Sequence, residues 1–201
     1  MLKLNTLKNT TLYRYLKSGL DYFFSVVLIL VLSPFFIVIV LVQIATGTSP
    51  FFKQYRPGRN GQLFKMYKFT SLATEGDLNS ITRFGLFLRK TSLDELPQLL
   101  NVLRGEMSMV GPRPLLKEYL PRYTSYQRAR HQVKPGITGL AQINGRNTLS
   151  WKESLQLDVE YVKRISFSLD FEILLKTVLN VFQFKKINNS GMQQREEFLG
   201  E

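Results

Sequence analysis

The chain contains no cysteine, one histidine and one tryptophan among its 201 residues. Without cysteine there is no disulfide, no thiolate zinc site and no cysteine nucleophile, a composition compatible with a reducing compartment. The lone His131 argues against a Ser-His triad or a multi-histidine metal centre, and its simplest role is structural. No P-loop and no G-x-G-x-x-G run occurs. Acidic residues are scarce, with 15 Asp+Glu against 27 Lys+Arg and a formal net charge of +12. That excess suits nucleic acid, an anionic membrane surface or a phosphate-bearing substrate, without choosing among them. Charge is missing altogether from Tyr22 to Phe52. The size of the chain allows one domain with a real core, two at most.

What fills the uncharged stretch is apolar: 17 of the 20 residues from Tyr22 to Leu41. No cleavage site of a signal peptide follows, so residues 20–46 read as a permanent membrane segment. Twenty helical residues cover roughly 30 Å, one hydrocarbon core. Ser33-Pro34, however, sits mid-segment, where proline removes a hydrogen bond and bends or breaks a helix. The limb from Asp21 to Ser33 is too short to cross alone, at about 20 Å. Both flanks are basic, with Lys3, Lys8, Arg14 and Lys17 before and Lys53, Arg56, Arg59, Lys65 and Lys68 after. Basic flanks favour the cytoplasmic side and anionic lipid. A re-entrant hairpin keeps both inside; a Pro-kinked single span is equally allowed by these residues.

Beyond residue 49 the pattern is mixed. "QLFKMYKF", 62–69, alternates as a short strand, and "MSMV" reads as a brief buried one. "ITRFGLFLRK" and "DELPQLLNVLR" read as short helices, the second stopped by Gly105. A helix is expected from about Leu115 to Arg130, then an irregular loop through "KPGITGLAQINGRN". Trp151, Leu155, Val159 and Val162 mark one helix face. Phe171, Leu174, Leu175, Val178, Leu179 and Phe182 mark another, which packs on the core or lies on the bilayer. The expected organisation is an anchor at 1–48, a catalytic domain at 49–184 and a loose polar tail at 185–201. The fold class is α+β, mostly helical with a few short strands.

The densest chemistry lies in "RKTSLDELPQLLNVLRGEMSMVGPRP", residues 89–114. Asp94 and Glu95 are adjacent, preceded by Arg89 and followed by Arg113 in a Gly-Pro-Arg-Pro turn. Adjacent helical residues point about 100° apart, so the pair cannot face each other as glycosidase carboxylates do. They can share a magnesium ion, or divide into a nucleophile and a metal ligand, while arginines grip phosphate oxygens. Capping competes with catalysis as the explanation: Ser92 with Glu95 spells a capping box, and Asp94 could cap a helix with Pro97 in its first turn. A helix N-terminus would also keep Asp94 ionised. The glycines of "PGITGLAQINGR" fit either a phosphate-approaching loop or a tight connection. Asp158, on an apolar helix face, calls for a buried arginine partner such as Arg146.

Taken in order, "LSPFF", "QYRPGRNGQLFKMYKF", "RKTSLDELPQLLNVLRGEMSMVGPRPLL", "HQVKPGITGLAQINGRN" and "SLDFEILLKT" resemble the bacterial sugar transferases, or monotopic phosphoglycosyl transferases. The chain is most similar to the minimal members, which lack extra transmembrane helices. The resemblance implies transfer of sugar-1-phosphate from a UDP-sugar to polyprenyl (undecaprenyl) phosphate at the cytoplasmic face of the bacterial inner membrane. By that likeness Asp94 is the nucleophile, Glu95 works with it at Mg2+, and Lys68, Arg89, Arg113 and Arg146 hold phosphates. It favours the hairpin, with Ser33 and Pro34 as the break in a re-entrant helix-break-helix. The partners it implies are donor, lipid acceptor and anionic bilayer, with no nucleic acid. One departure is Thr70, in "KFTSL", where relatives often carry a basic residue; the loop that follows is short. The alternative in a different class is a non-catalytic, basic, membrane-tethered scaffold.

Overall fold

The uncharged stretch supplies the C-terminal half of one long helix, α1 (Leu2–Ala45), in the computed structural model and continues past its end. The described residues are 2–72, 80–145, 148–182 and 196–200. The chain stays helical through Ser33 and Pro34. Proline deprives the Leu30 carbonyl of its amide donor, and the Ser33 hydroxyl donates to that carbonyl instead, at 2.8 Å. This local substitution explains how a helix accommodates proline without an interruption at the expected break.

One face of α1 is built into the rest of the molecule along most of its length. Before the proline, the Tyr13 hydroxyl donates to Asp170 at 2.6 Å, Lys17 pairs with Asp170, and Asp21 accepts the Met109 amide at 3.1 Å. After it, Ile39 is buried with Phe69 and Leu88, flanked by Phe36 and Val40, and Gln43 donates to the Thr70 carbonyl at 2.6 Å. Asp21 and Ser25, then Ile39 and Gln43, are all buried, each pair four residues apart on one helix face. Phe23, Leu30, Val31, Phe35, Ile37 and Leu41 face outward and are exposed.

The alternating segment at 62–69 is β2 (Leu63–Phe69), and its partner is β1 (Phe51–Pro57), which was not anticipated. They pair antiparallel, Phe51 opposite Phe69 and Pro57 opposite Leu63. Asn60 and Gly61 supply the positive φ angles, 56° and 75°, of the turn. Helix α2 (Arg83–Thr91) begins at Thr82, whose side chain accepts from Gly85. The remaining expected helix at 94–104 divides into a 3-10 turn, Leu93–Glu95, and α3 (Gln98–Leu103), closed by Gly105 at φ 74°. Fully buried Asn101 on α3 is the clasp to β2: it accepts the Tyr67 amide and donates to the Lys65 carbonyl and the Glu106 carboxylate.

Strand β3 (Ser108–Val110) lies parallel to β4 (Gly136–Thr138), within the segment expected to be irregular. Glycine is what permits this pairing. A Cβ on Gly136 would come within 2.0 Å of the Gly111 nitrogen, and one on Gly139 within 2.2 Å of the Gly111 carbonyl oxygen. The glycines of the "PGITG" run therefore serve backbone crossing rather than phosphate approach. The helix expected over 115–130 is cut into a 3-10 stretch, Lys117–Arg122, α4 (Ser125–Arg128) and a second 3-10 stretch, Ala129–Gln132. Pro121 and the capping box of Thr124 with Gln127 account for the division.

Helix α5 (Leu140–Ile143) leads to α6 (Trp151–Arg164) and α7 (Phe167–Phe182). The buried face of α7 is Leu169, Asp170 and Ile173, with Leu174 partly covered. Of the anticipated stripe, Phe171, Leu175, Val178 and Leu179 point outward and are exposed, while Leu174 packs partly on the core and the side chain of Phe182 lies outside the described ones. The polar tail does not end loose. Phe198 is buried among Tyr119, Tyr123, Leu155 and Trp151, whereas residues 185–195 of the expected tail lie outside the described part.

Asn101→Ala leaves two backbone groups and a carboxylate oxygen without their partner, each worth about 1–3 kcal/mol when buried. The expected outcome is a thermal midpoint lower by roughly 5–15 °C for a chain of this size, read by melting the detergent-solubilised protein.

Candidate active site

Four separate segments converge on one small region. Lys68 stands near the end of β2, Arg89 in the last turn of α2, Asp94 and Glu95 in the 3-10 turn, and Arg113 in the Gly-Pro-Arg-Pro turn after β3. The close approach of α2 to the segment that follows β2 is set by Gly85, where a Cβ would sit 2.0 Å from the Ser71 carbonyl oxygen. That approach lets the Arg89 Nε donate to the Ser71 hydroxyl at 2.7 Å.

Glu95 is the fixed point. Lys68 Nζ lies 2.7 Å from its Oε1, and Arg113 donates to both of its oxygens, at 2.7 and 3.4 Å. Asp94 is buried, 8% exposed, with Lys68 Nζ 3.9 Å from its Oδ2. The helix-capping explanation fails on this geometry. Ser92 takes a left-handed conformation, φ 58°, and no side-chain capping bond is made at either the 3-10 turn or α3. The Glu95 carboxylate turns to the two cations rather than back to Ser92.

The adjacent carboxyls titrate in opposite directions. Burial pushes Asp94 up to about 6, helped by the Glu95 charge and opposed by Lys68. Burial also acts to raise Glu95, but Arg113 and Lys68 outweigh it and hold the group well below the usual carboxylate range. Arg113 is raised in turn by Glu95. The expectation that a helix terminus keeps Asp94 readily ionised is thus reversed by desolvation. Asp94 remains mostly ionised at neutral pH, yet its charge is the less stabilised of the two. An ionised, poorly satisfied oxygen beside fixed cations can attack an electrophile such as phosphorus.

Arg56, on β1, was named only as a basic flank, yet it belongs to this neighbourhood. Burial, then the charge of Arg113, lower it to about 10. Its guanidinium donates to Gln54 at 2.6 Å, while its buried Nε has no acceptor among the described residues. Its place in the alternating "FFKQYRP" strand was the signal that could have found it.

Arg146 lies outside the described residues, as do residues 73–79 of the short loop. Arg130 is a buried partner of Asp158, through Nε at 3.1 Å and a terminal nitrogen at 2.7 Å, while the expected pairing with Arg146 falls outside the described residues. His131 is structural, as expected: Nδ1 lies 3.2 Å from the Gly58 carbonyl oxygen, and burial, then Arg130, lower it to about 4. At Thr70 the backbone carbonyl is taken by Gln43.

Among the described residues no three acidic or histidine side chains gather into a metal cage. The two carboxylates fit magnesium only in its usual mode, with substrate phosphate oxygens and water completing the shell.

A buried carboxylate pair held against lysine and arginine has the chemistry that group transfer between anionic substrates calls for. The family model described as "Bacterial sugar transferase" matches residues 12–184, and the chain belongs to that family of transferases. It is 49% identical over 170 residues to "Uncharacterized sugar transferase EpsL" of Bacillus subtilis (strain 168), covering 81% of this chain and 84% of that one. It is 37% identical to "Exopolysaccharide production protein ExoY" of Sinorhizobium fredii, covering 81% and 83%. A "UDP-glucose:undecaprenyl-phosphate glucose-1-phosphate transferase" of Xanthomonas campestris pv. campestris is 39% identical over 182 residues, 80% of this chain but 37% of that longer protein. Membership in a transferase family removes the scaffold alternative.

The raised Asp94 carboxyl has a consequence for stability. Its folded value, about 6, lies above the unfolded one, about 4. The stability linked to it is therefore complete below about pH 4 and is lost as pH rises through 6. Asp94→Asn should raise the thermal midpoint by a few degrees at pH 8, and the gain should vanish at pH 4 in paired melting curves.

Proposed function

We propose that the chain transfers a sugar-1-phosphate from a UDP-sugar to polyprenyl phosphate, through a phosphosugar bound to Asp94, as the first membrane step of a bacterial glycoconjugate or polysaccharide pathway. The observation that carries this reading is the division of labour between adjacent carboxyls, one neutralised by cations and one left reactive. In the first step an Asp94 oxygen attacks the β-phosphorus of the donor. The bond from that phosphorus to the bridging oxygen breaks, and UMP leaves with the electron pair. In the second step an oxygen of polyprenyl phosphate attacks the same phosphorus, the aspartyl oxygen departs, and the carboxylate is restored. Splitting the transfer avoids bringing two anionic phosphates together at once.

Lys68 and Arg113 are held in place by Glu95 before substrate arrives, so their reorientation costs little in the transition state. Arg89, braced by Ser71, adds a third cation, and Arg146 is expected to contribute a fourth. Magnesium held by Asp94 and Glu95 would offset charge on the donor diphosphate.

The anchor reading is an α1 that stays helical through Ser33-Pro34 but bends there, dipping into the membrane and returning with both ends on the cytoplasmic face of the inner membrane. Tyr13 and Lys17 on one limb and Gln43 on the other bind the same folded body. In a crossing helix, about 45 Å would separate Tyr13 from Gln43, and the polar body touching both would lie inside hydrocarbon. The outward faces of α1 and α7 supply the apolar surface for lipid, placing Asp94 where a membrane-held phosphate can reach it.

Purified enzyme given a UDP-sugar panel, magnesium and polyprenyl phosphate should release UMP and form a lipid-linked diphosphate sugar. Asp94→Asn should lower this by at least about 1,000-fold, the scale of losing a nucleophile; equal UMP release by the variant would remove Asp94 from the mechanism. For topology, Asn5→Cys and Asn60→Cys should both label only from the cytoplasmic side in oriented vesicles. Labelling of the two from opposite sides would exclude the hairpin.

A further inference from the structure

The C-terminal residues Glu196–Gly200 lie beyond the residues matched by the family model, yet they are seated on the same body as the active site. Phe198 is 2% exposed. Its ring lies 5.4 Å from Trp151 and 5.6 Å from both Tyr119 and Tyr123, centroid to centroid. Backbone bonds fix the segment's direction: the Trp151 indole donates to the Glu196 carbonyl at 2.9 Å, and Arg122 donates to the Phe198 carbonyl. Arg122 also pairs with Glu197 at 2.7 Å and lies over the Tyr119 ring. An aromatic side chain, two backbone carbonyls and an acidic side chain are thus each recognised by complementary groups, as in the docking of a short acidic-aromatic peptide.

The groove does not stop at the tail. Arg130 donates to the Tyr123 hydroxyl at 3.3 Å and lies over the Tyr123 ring. The same guanidinium pairs with buried Asp158 and donates to the main-chain carbonyl of Arg113 at 2.6 Å. Arg113 is the residue that grips Glu95. A continuous run of contacts therefore joins Phe198 to Tyr123, Arg130, Arg113 and Glu95. Removing Phe198 takes packing from one face of Tyr123 and loosens the group that sets the course of the Gly-Pro-Arg-Pro turn.

We infer that the C-terminal segment is a positioning element for the active site, Phe198 acting through Tyr123 and Arg130 to hold Arg113 against Glu95. This rests on the reading that Arg113 binds the donor's phosphates.

Trp151 is the sole tryptophan of the chain, so its fluorescence reports the groove without reference to catalysis. The test compares the full-length detergent-solubilised enzyme with a chain ending at Arg195 and with Phe198→Ala. Both variants should shift Trp151 emission to longer wavelength, raise the donor KM severalfold and lower kcat. The synthetic peptide Glu-Glu-Phe-Leu-Gly-Glu, added to about 1 mM to approach the effective concentration of a tethered segment, should restore both readouts in the shortened chain. Its Phe-to-Ala counterpart should restore neither. Emission that ignores both truncation and peptide overturns the docking. Emission that recovers while KM never moved overturns the positioning role. A full-length enzyme that turns over no UDP-sugar would instead defeat the reading of the site, and the positioning role with it, while Trp151 still decides the docking.

Discussion

Glu95 takes Lys68 and Arg113 from opposite ends of the sequence neighbourhood and holds both with one carboxylate. A strand end, a 3-10 turn and a proline-bounded turn are thereby locked together. Because its charge is so well neutralised, Glu95 stays ionised, and the burden of desolvation falls on its neighbour Asp94. Two chemically similar residues are thus made unlike by their surroundings. The backbone features around them serve this pairing: the glycine crossing that brings the Arg113 turn beside β4, the contact at Gly85 between α2 and the segment that follows β2, and the Asn101 clasp that keeps β2 against α3.

Much of this was legible from residues alone. The alternation at 62–69, Gly105 as a helix stop and the helix at 151–164 are local signals, and local physics decided them. The Asp94–Glu95 pair was legible as a candidate, although capping stood as its rival, because Ser92-x-x-Glu95 satisfies both patterns. Only the left-handed turn at Ser92, where α2 gives way to the 3-10 turn, separates them. The parallel β3–β4 pair was hidden because glycine-rich sequence ordinarily signals loop, and its reason here is non-local: the backbone of Gly111 lies where side chains would be. The outward stripe of α7 was hidden for a related reason. An apolar face does not say whether protein or lipid covers it.

The partner of Asp158 illustrates the same limit. A buried carboxylate demands a cation, and that demand was readable; which arginine answers it was not. Arg130 does so from a 3-10 stretch that the expected 115–130 helix would have aimed elsewhere. Pro121 and the Thr124 cap shorten that helix and redirect Arg130 toward both Asp158 and the main chain of Arg113.

The charged clasp of Tyr13, Lys17 and Asp21 on Asp170 and Met109, together with Ile39 in the cluster of Phe69 and Leu88, makes the anchor a structural wall of the catalytic body. Cutting the chain near residue 48 would not release a water-soluble enzyme. It would strip Asp170 of its lysine and uncover the apolar cluster on which Leu93 and Leu96, the neighbours of the carboxylate pair, are packed. Attachment to the membrane and integrity of the folded body are, in this chain, a single property inherited together. A lipid-free form of the enzyme would have to be redesigned rather than excised.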